Sequence, residues 1–173
     1  MPIRLCIVAI LFCCVISVRA QTPEENLAKQ GIQLPKVPVP VASYVNIVRT
    51  GNLLFLSGKG PSRADGSMMT GKLGRDCSID SGYYAARLAA IAHLAVLKEA
   101  LGSLTKVKRI VKVSGMVNCT ENFTDQPKVI NGYSDLMLQV FGDKGKHARS
   151  AVGMNALPFG IPVEVELIVE VED

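Results

Sequence analysis

The chain has 173 residues, 49% hydrophobic and 5% aromatic, with no tryptophan and a formal charge of +4. That length suits one domain plus an export segment, and that hydrophobic share supplies an aliphatic core and argues against a long disordered stretch. Without Arg4 and Arg19 of the N-terminal segment the charge falls to +2, too little to argue for nucleic acid or an acidic membrane surface as partner.

Residues 1–20 read as a secretory signal peptide. Arg4 supplies the positive start, positions 5–18 are apolar apart from Ser17, and Val18-Arg19-Ala20 puts a small residue before the cut. The apolar run is shorter than the about 20 residues a spanning helix needs. Arg19 beside the cut keeps an uncleaved anchor open as the alternative. The expected location is secreted, within the secretory pathway or periplasmic, with no membrane contact once the signal is removed. Cys6, Cys13 and Cys14 leave with that segment, and Cys77 and Cys119 remain, either paired or as two free thiols. With no C-x-x-C or Cys/His cluster, no structural metal is expected. Asn118-Cys119-Thr120 and Asn122-Phe123-Thr124 match the glycosylation acceptor pattern, so Asn118 and Asn122 are the candidate acceptors.

Residues 21–41 are polar and then proline-rich, an extended lead-in with a short helical turn expected over 27–34. The domain proper is expected over 42–173. Residues 44–48 and 53–57 predict a hairpin around Thr50-Gly51-Asn52. Residues 59–76 predict a long glycine-broken loop, with a short strand near 67–70 inside it. Residues 80–101 are the clearest helix: an apolar stripe at helical spacing, six alanines between 85 and 95, Ser78 or Asp80 as cap and Gly102 as stop. His93 on that helix is expected to be solvated. Residues 109–117 alternate as a strand. Asp125 is expected to cap a second helix with Pro127 in its first turn, burying Val129, Tyr133, Leu136, Met137 and Val140. Residues 147–154 and 163–171 predict two more strands. In the last, Val163, Val165, Leu167, Val169 and Val171 point one way and Glu164, Glu166, Glu170 and Glu172 the other. The order β-β-(β)-α-β-α-β-β implies an α+β fold with one mixed sheet and both helices on one face. The other face is of the kind a neighbouring subunit completes.

Several pieces resemble the RidA (YjgF-type) family. They are Leu56-Ser57-Gly58, the glycine-rich lead-in Gly71-Lys72-Leu73-Gly74, the alanine-rich helix with its Gly-Ser-Leu exit, and above all Ala148-Arg149-Ser150-Ala151-Val152, Leu157-Pro158 and Val163-Glu164-Val165-Glu166. The resemblance covers residues 43–171. It implies a chorismate-mutase-like fold, a homotrimer with a ligand cleft between neighbouring subunits, and hydrolysis of reactive enamines and imines such as 2-aminoacrylate to 2-keto acids and ammonia. It also implies that Arg149 holds the substrate carboxylate, that Glu164 positions water, and that Ser57, Tyr44 and Asn131 line the cleft, with no cofactor. Departures are Lys59 and Ala151, where the family often has Gln and Cys, and expanded loops at 59–76 and 143–146. They mark a divergent branch and leave the substrate open.

The chemistry fits these residue types. A guanidinium offers two parallel donors to a carboxylate and stays charged at any working pH. A protonated C=N is already electrophilic, so its hydrolysis needs an oriented water and a proton relay, which a carboxylate such as Glu164 supplies. Arg149 in a structural ion pair, and Glu164 as one more solvated charge, are the plain alternatives. His147 is expected at an exposed loop edge, and the two remaining thiols to be passive. A small-carboxylate binding protein without catalysis is the competing function. A ribonuclease would need salt-sensitive RNA binding, which the near-neutral charge does not favour.

Overall fold

The computed structural model describes residues 21–38, 43–63 and 65–172. The signal segment expected over 1–20 and the domain boundary at residue 42 lie outside the described residues. The elements run α1 (Pro23–Lys29), β1 (Ile47–Thr50), β2 (Leu53–Lys59), α2 (Ile79–Leu101), β3 (Val107–Asn118), α3 (Gln126–Phe141), β4 (Ala148–Met154) and β5 (Val163–Val171). The strands form one sheet in the order β1-β2-β5-β3-β4. All neighbours are antiparallel except β3 and β4, whose parallel pairing requires the crossover that α3 provides.

The alternation read from β5 sets the sheet's two faces. Val163, Val165, Leu167, Val169 and Val171 are buried under the helices, with Leu54 and Leu56 of β2 and Val107, Ile110, Val113 and Val117 of β3 beside them. Glu164, Glu166, Ile168 and Glu170 line the open face. Helix α2 starts where Ser78 Oγ accepts from the Ser81 amide and stops at Gly102 in the left-handed region (φ 75°). Its buried alanines let α3 approach closely. At the tightest point a Cβ on Gly132 of α3 would run into the Tyr83 carbonyl oxygen of α2, so only glycine fits there.

One irregularity matters later. Leu56 of β2 pairs with Leu167 of β5 and Lys59 with Val165, so β2 carries one extra residue between the two pairs. This is a β-bulge.

Four expectations are corrected. The lead-in is not extended throughout: Thr22 and Glu25 form a reciprocal capping box and Pro23 occupies the first turn, so a helix forms N-terminal to the turn expected over 27–34. That helix is built into the domain. Glu24 Oε1 accepts from Lys98 Nζ (2.7 Å), Ser103 Oγ (3.0 Å) and the Leu104 amide (2.9 Å), Asn26 Nδ2 donates to the Val140 carbonyl (2.9 Å), and Leu27 is buried. The short strand expected near 67–70 is a single bridge between Ser62 and Met68, too short a pairing to extend the sheet. Asp125 precedes α3, but its side chain makes no capping bond and pairs with Lys128 at 3.0 Å. Its backbone (φ −93°, ψ 24°) lacks the extended conformation that aims a cap at the helix amides. His93, expected in solvent, is fully buried.

Candidate functional site

Arg149 sits on β4 opposite Val113 of β3, on the helix-facing side of the edge strand. Its Nη1 donates to Asn131 Oδ1 (2.8 Å) and to Ser134 Oγ (3.1 Å), both on α3. Asn131 and Ser134 stand three residues apart and so share a helix face. Beside them, His147 Nδ1 donates to the Gly145 carbonyl (2.6 Å), which leaves Nε2 to accept from Ser134 O–H (3.0 Å). Burial is the main cause that holds His147 below its ordinary pKa; the hydrogen bond to Gly145 opposes it and the Arg149 charge adds to it. Every partner of Arg149 is therefore neutral. Among the described residues the guanidinium forms no ion pair, and Nε and Nη2 make no hydrogen bond. A hollow of about 250 Å³ opens here, lined by Ser134, Leu138, Gly145, Lys146, His147 and Arg149. The arrangement leaves one oriented, half-buried cation facing a small space, which suits a small anion.

The other predicted residues gather elsewhere. Glu164, the second residue of β5, lies on the open face opposite Met116 of β3. Its carboxylate lies on Gly58, where any Cβ would overlap it. Burial, then the charge of Glu166, raises its carboxyl above the ordinary carboxylate range. Ser57 is next to Gly58 in the bulge, and its Oγ donates to the Val45 carbonyl (2.7 Å). That bond ties Ser57 to the stretch carrying Tyr44, whose side chain is exposed. Ser57 also borders a second hollow, about 280 Å³, with Val48, Phe55, Ser114, Glu166 and Ile168.

The structure thus brings Arg149 and Asn131 together, and Ser57 and Glu164 together with Tyr44 nearby. It does not bring the two groups together within one chain. They lie on opposite faces of the sheet, Arg149 on an edge strand and Glu164 two strands inward.

Sequence reading missed Ser134, although its spacing from Asn131 places it on the same helix face. It also missed the buried connection behind Ser57. His93 Nε2 donates to the Ser57 carbonyl (3.1 Å), so Nδ1 accepts from Tyr133 O–H (2.8 Å). Burial pushes His93 down to about 3 and Tyr133 well above its ordinary value. The two acceptor asparagines part company. Asn118 is buried, and its Nδ2 donates to the Gly71 and Ile161 carbonyls (3.2 Å each). That corrects its candidacy, since the folded chain leaves no room for a glycan there; Asn122 is exposed. Cys77 and Cys119 are both free, and burial together with Asp76 pushes the Cys77 thiol up, away from the reactive thiolate. Among the described residues no three His, Cys, Asp or Glu side chains group as a metal site. No described helix is long and apolar enough to cross a membrane.

A family model described as "YjgF/chorismate mutase-like, putative endoribonuclease" matches residues 24–171. Protein TCP17 of Trypanosoma cruzi is 44% identical over 86% of this chain and 93% of its own length. A 2-iminobutanoate/2-iminopropanoate deaminase of Dermatophagoides farinae is 30% identical over 83% of this chain and 98% of its own. The crystal structure of Atu1372 from Agrobacterium tumefaciens, a protein of unknown function, superposes with a TM-score of 0.81 at 42% identity, covering 87% of this chain and 94% of that one.

Proposed function

The chain belongs to the YjgF/chorismate mutase-like family, and on that premise we propose that it hydrolyses small reactive enamines and imines, of the 2-aminoacrylate kind, to 2-keto acids and ammonia. The observation that carries this reading is Arg149: a half-buried guanidinium with only neutral partners and two unused donor positions beside a hollow sized for a small acid. The similarity to an imine deaminase supports the same chemistry.

In this reading Arg149 takes the carboxylate through Nε and Nη2, while Asn131 and Ser134 hold Nη1 and fix the plane of the fork. The enamine takes a proton from solvent at its terminal carbon and becomes the protonated imine. Water adds to the C=N carbon and loses a proton to Glu164, which returns it to the carbinolamine nitrogen; the C–N bond breaks, and the hydroxyl proton passes to the departing ammonia to leave ammonium and the 2-keto acid. Glu164 steers the water and takes its proton. A carboxyl raised by burial is a better base than a solvated one, because its proton affinity lies nearer the working pH. Ser57 and Tyr44 line the far side of the substrate.

Arg149 and Glu164 lie on opposite faces of one sheet, so the proposal includes a homotrimer in which the β4 edge of one subunit meets the open face of the next. It also includes export: a signal peptide over 1–20, a secreted or secretory-pathway protein, and Asn122 as the glycan acceptor.

The test is keto-acid release from an imino acid generated in place, with Arg149→Ala and Glu164→Gln as controls and light scattering for the subunit count. Turnover equal to wild type in Arg149→Ala discards the assignment. Binding of 2-keto acids without any turnover leaves the alternative, a non-catalytic carboxylate-binding protein. In the catalytic case Glu164 must be ionised, so kcat/KM rises with pH on a limb lying above the ordinary carboxylate range. Glu164→Gln removes that limb.

A further inference from the structure

A cavity of about 450 Å³ lies on the helix side of the sheet, at the β2 end and away from Arg149. The strap of residues 35–38 forms one wall, and Ser62, Arg63, Asp65 and Gly66 form another. The wall from α2 presents Ala92, Ala95 and Val96, small apolar side chains that leave the space open. Lys59 enters from β2. The bulge places it opposite Val165, on the buried side of the sheet. Lys59 is half-buried, and its Nζ donates to a neutral acceptor, Asn46 Oδ1, at 2.6 Å. Among the described residues it has no carboxylate partner.

The mouth is also basic. Lys36 and Arg63 line it, against a single acid, Asp65. Asp65 is already engaged: its Oδ1 accepts from the Ser67 amide (2.9 Å) and the Ser67 hydroxyl (2.7 Å). Arg63 Nη1 is turned to the same loop, donating to Ser67 Oγ (3.3 Å) and the Met68 carbonyl (3.4 Å). An apolar pocket of ligand size holding a poorly compensated ammonium calls for an anion with an apolar body. Burial pushes the Lys59 amine down, the cost of holding that charge without a carboxylate, and a bound anion would relieve it.

We propose that this cavity is a second ligand site, distinct from the Arg149 hollow, and that it takes an aliphatic carboxylate: the headgroup on Lys59 with Lys36 and Arg63 at the rim, the chain against Val37, Ala92, Ala95 and Val96. None of the residues around Arg149 lines it, so it stands or falls independently of the deaminase reading.

The experiment is calorimetric titration of the full protein with straight-chain carboxylates from butanoate to octanoate, and with octanol as the uncharged control. Affinity should rise roughly threefold per added methylene until the pocket is full. Lys59→Gln should weaken octanoate binding about tenfold or more, and octanol should bind wild type about as poorly. Ala92→Leu, on a half-exposed face of α2, should abolish binding by filling the space without disturbing the core. Arg149→Ala, which removes the other carboxylate site, should keep one octanoate site with the same chain-length dependence and the same sensitivity to Lys59→Gln. Octanoate binding at full strength to Lys59→Gln or Ala92→Leu overturns the proposal, as does loss of binding in Arg149→Ala. Failure of folded wild type to bind octanoate at all overturns it too.

Discussion

Helix α3 carries two polar networks on neighbouring faces, and they differ in one respect. On the inner face, Tyr133 donates to His93 and His93 donates to the Ser57 carbonyl, so both imidazole nitrogens are used and nothing reaches water. On the outer face, Asn131 and Ser134 receive one nitrogen of Arg149 and leave two others unmatched. The closed network is architecture: it fixes one tautomer and binds α2, α3 and β2 to each other. The open one is an offer to a ligand. Burial alone does not separate them; the count of unused donors does.

The largest effect expected from that difference is on the closed side. His93 titrates near 3 in the fold against 6.5 ordinarily, so the unfolded chain takes up its proton first as pH falls. This contribution is complete well above pH 6.5 and drains away toward pH 3, on the order of 5 kcal/mol in all. Urea midpoints at fixed protein concentration should fall between about pH 7 and about pH 4, and His93→Gln should flatten much of that slope. An undiminished slope in the variant would mean that the imidazole does not govern acid stability.

Next in size is Arg149→Ala. It should lower kcat/KM for an imino acid about a hundredfold or more, some 3 kcal/mol, and leave the melting midpoint nearly unmoved. The reverse pattern, lost stability with kept turnover, would make the outer network architectural too. Tyr133→Phe should cost about 1–2 kcal/mol of stability by orphaning His93 Nδ1, with kcat unchanged. The smallest expected effect is Ser134→Ala, which removes one of two anchors of Nη1 and should raise KM a few-fold, below about 1 kcal/mol. Normal KM in that variant would assign Arg149's orientation to Asn131 alone.

Much of this was readable from the residues. The alternation of β5, the long α2 with its Ser78 and Gly102 ends, and the apolar face of α3 are local patterns, and each formed where the pattern stood. Of the five residues the resemblance assigns to one cleft, Arg149 and Asn131 lie 2.8 Å apart, while Ser57, Tyr44 and Glu164 gather on the other side of the sheet. Long-range contacts were harder to read. His93 lies at helical spacing from Ala86, Ala89, Ala90 and Leu97, all buried, so its burial was implicit in the stripe. Its polarity argued the other way, and only Tyr133, forty residues on, resolves the conflict. Helix α1 owes its place to Glu24, which reaches the far end of α2. The bulge in β2 is one residue long, and its local signal, Gly58 inside a strand pattern, reads equally as the end of the strand.

That one residue decides which compartment each of its neighbours serves. In an unbroken pleat Ser57 and Lys59 would lie on the same side. With the extra residue between Leu56 and Lys59, the hydroxyl borders the sheet's open side while the ammonium enters the space under α2. Deleting Gly58 would close the bulge and keep the lysine opposite Val165, whereas a regular pleat that retained Gly58 would turn the lysine to the open side. The surplus residue is absorbed on the open side, beside Glu164, without costing the ammonium its shelter within.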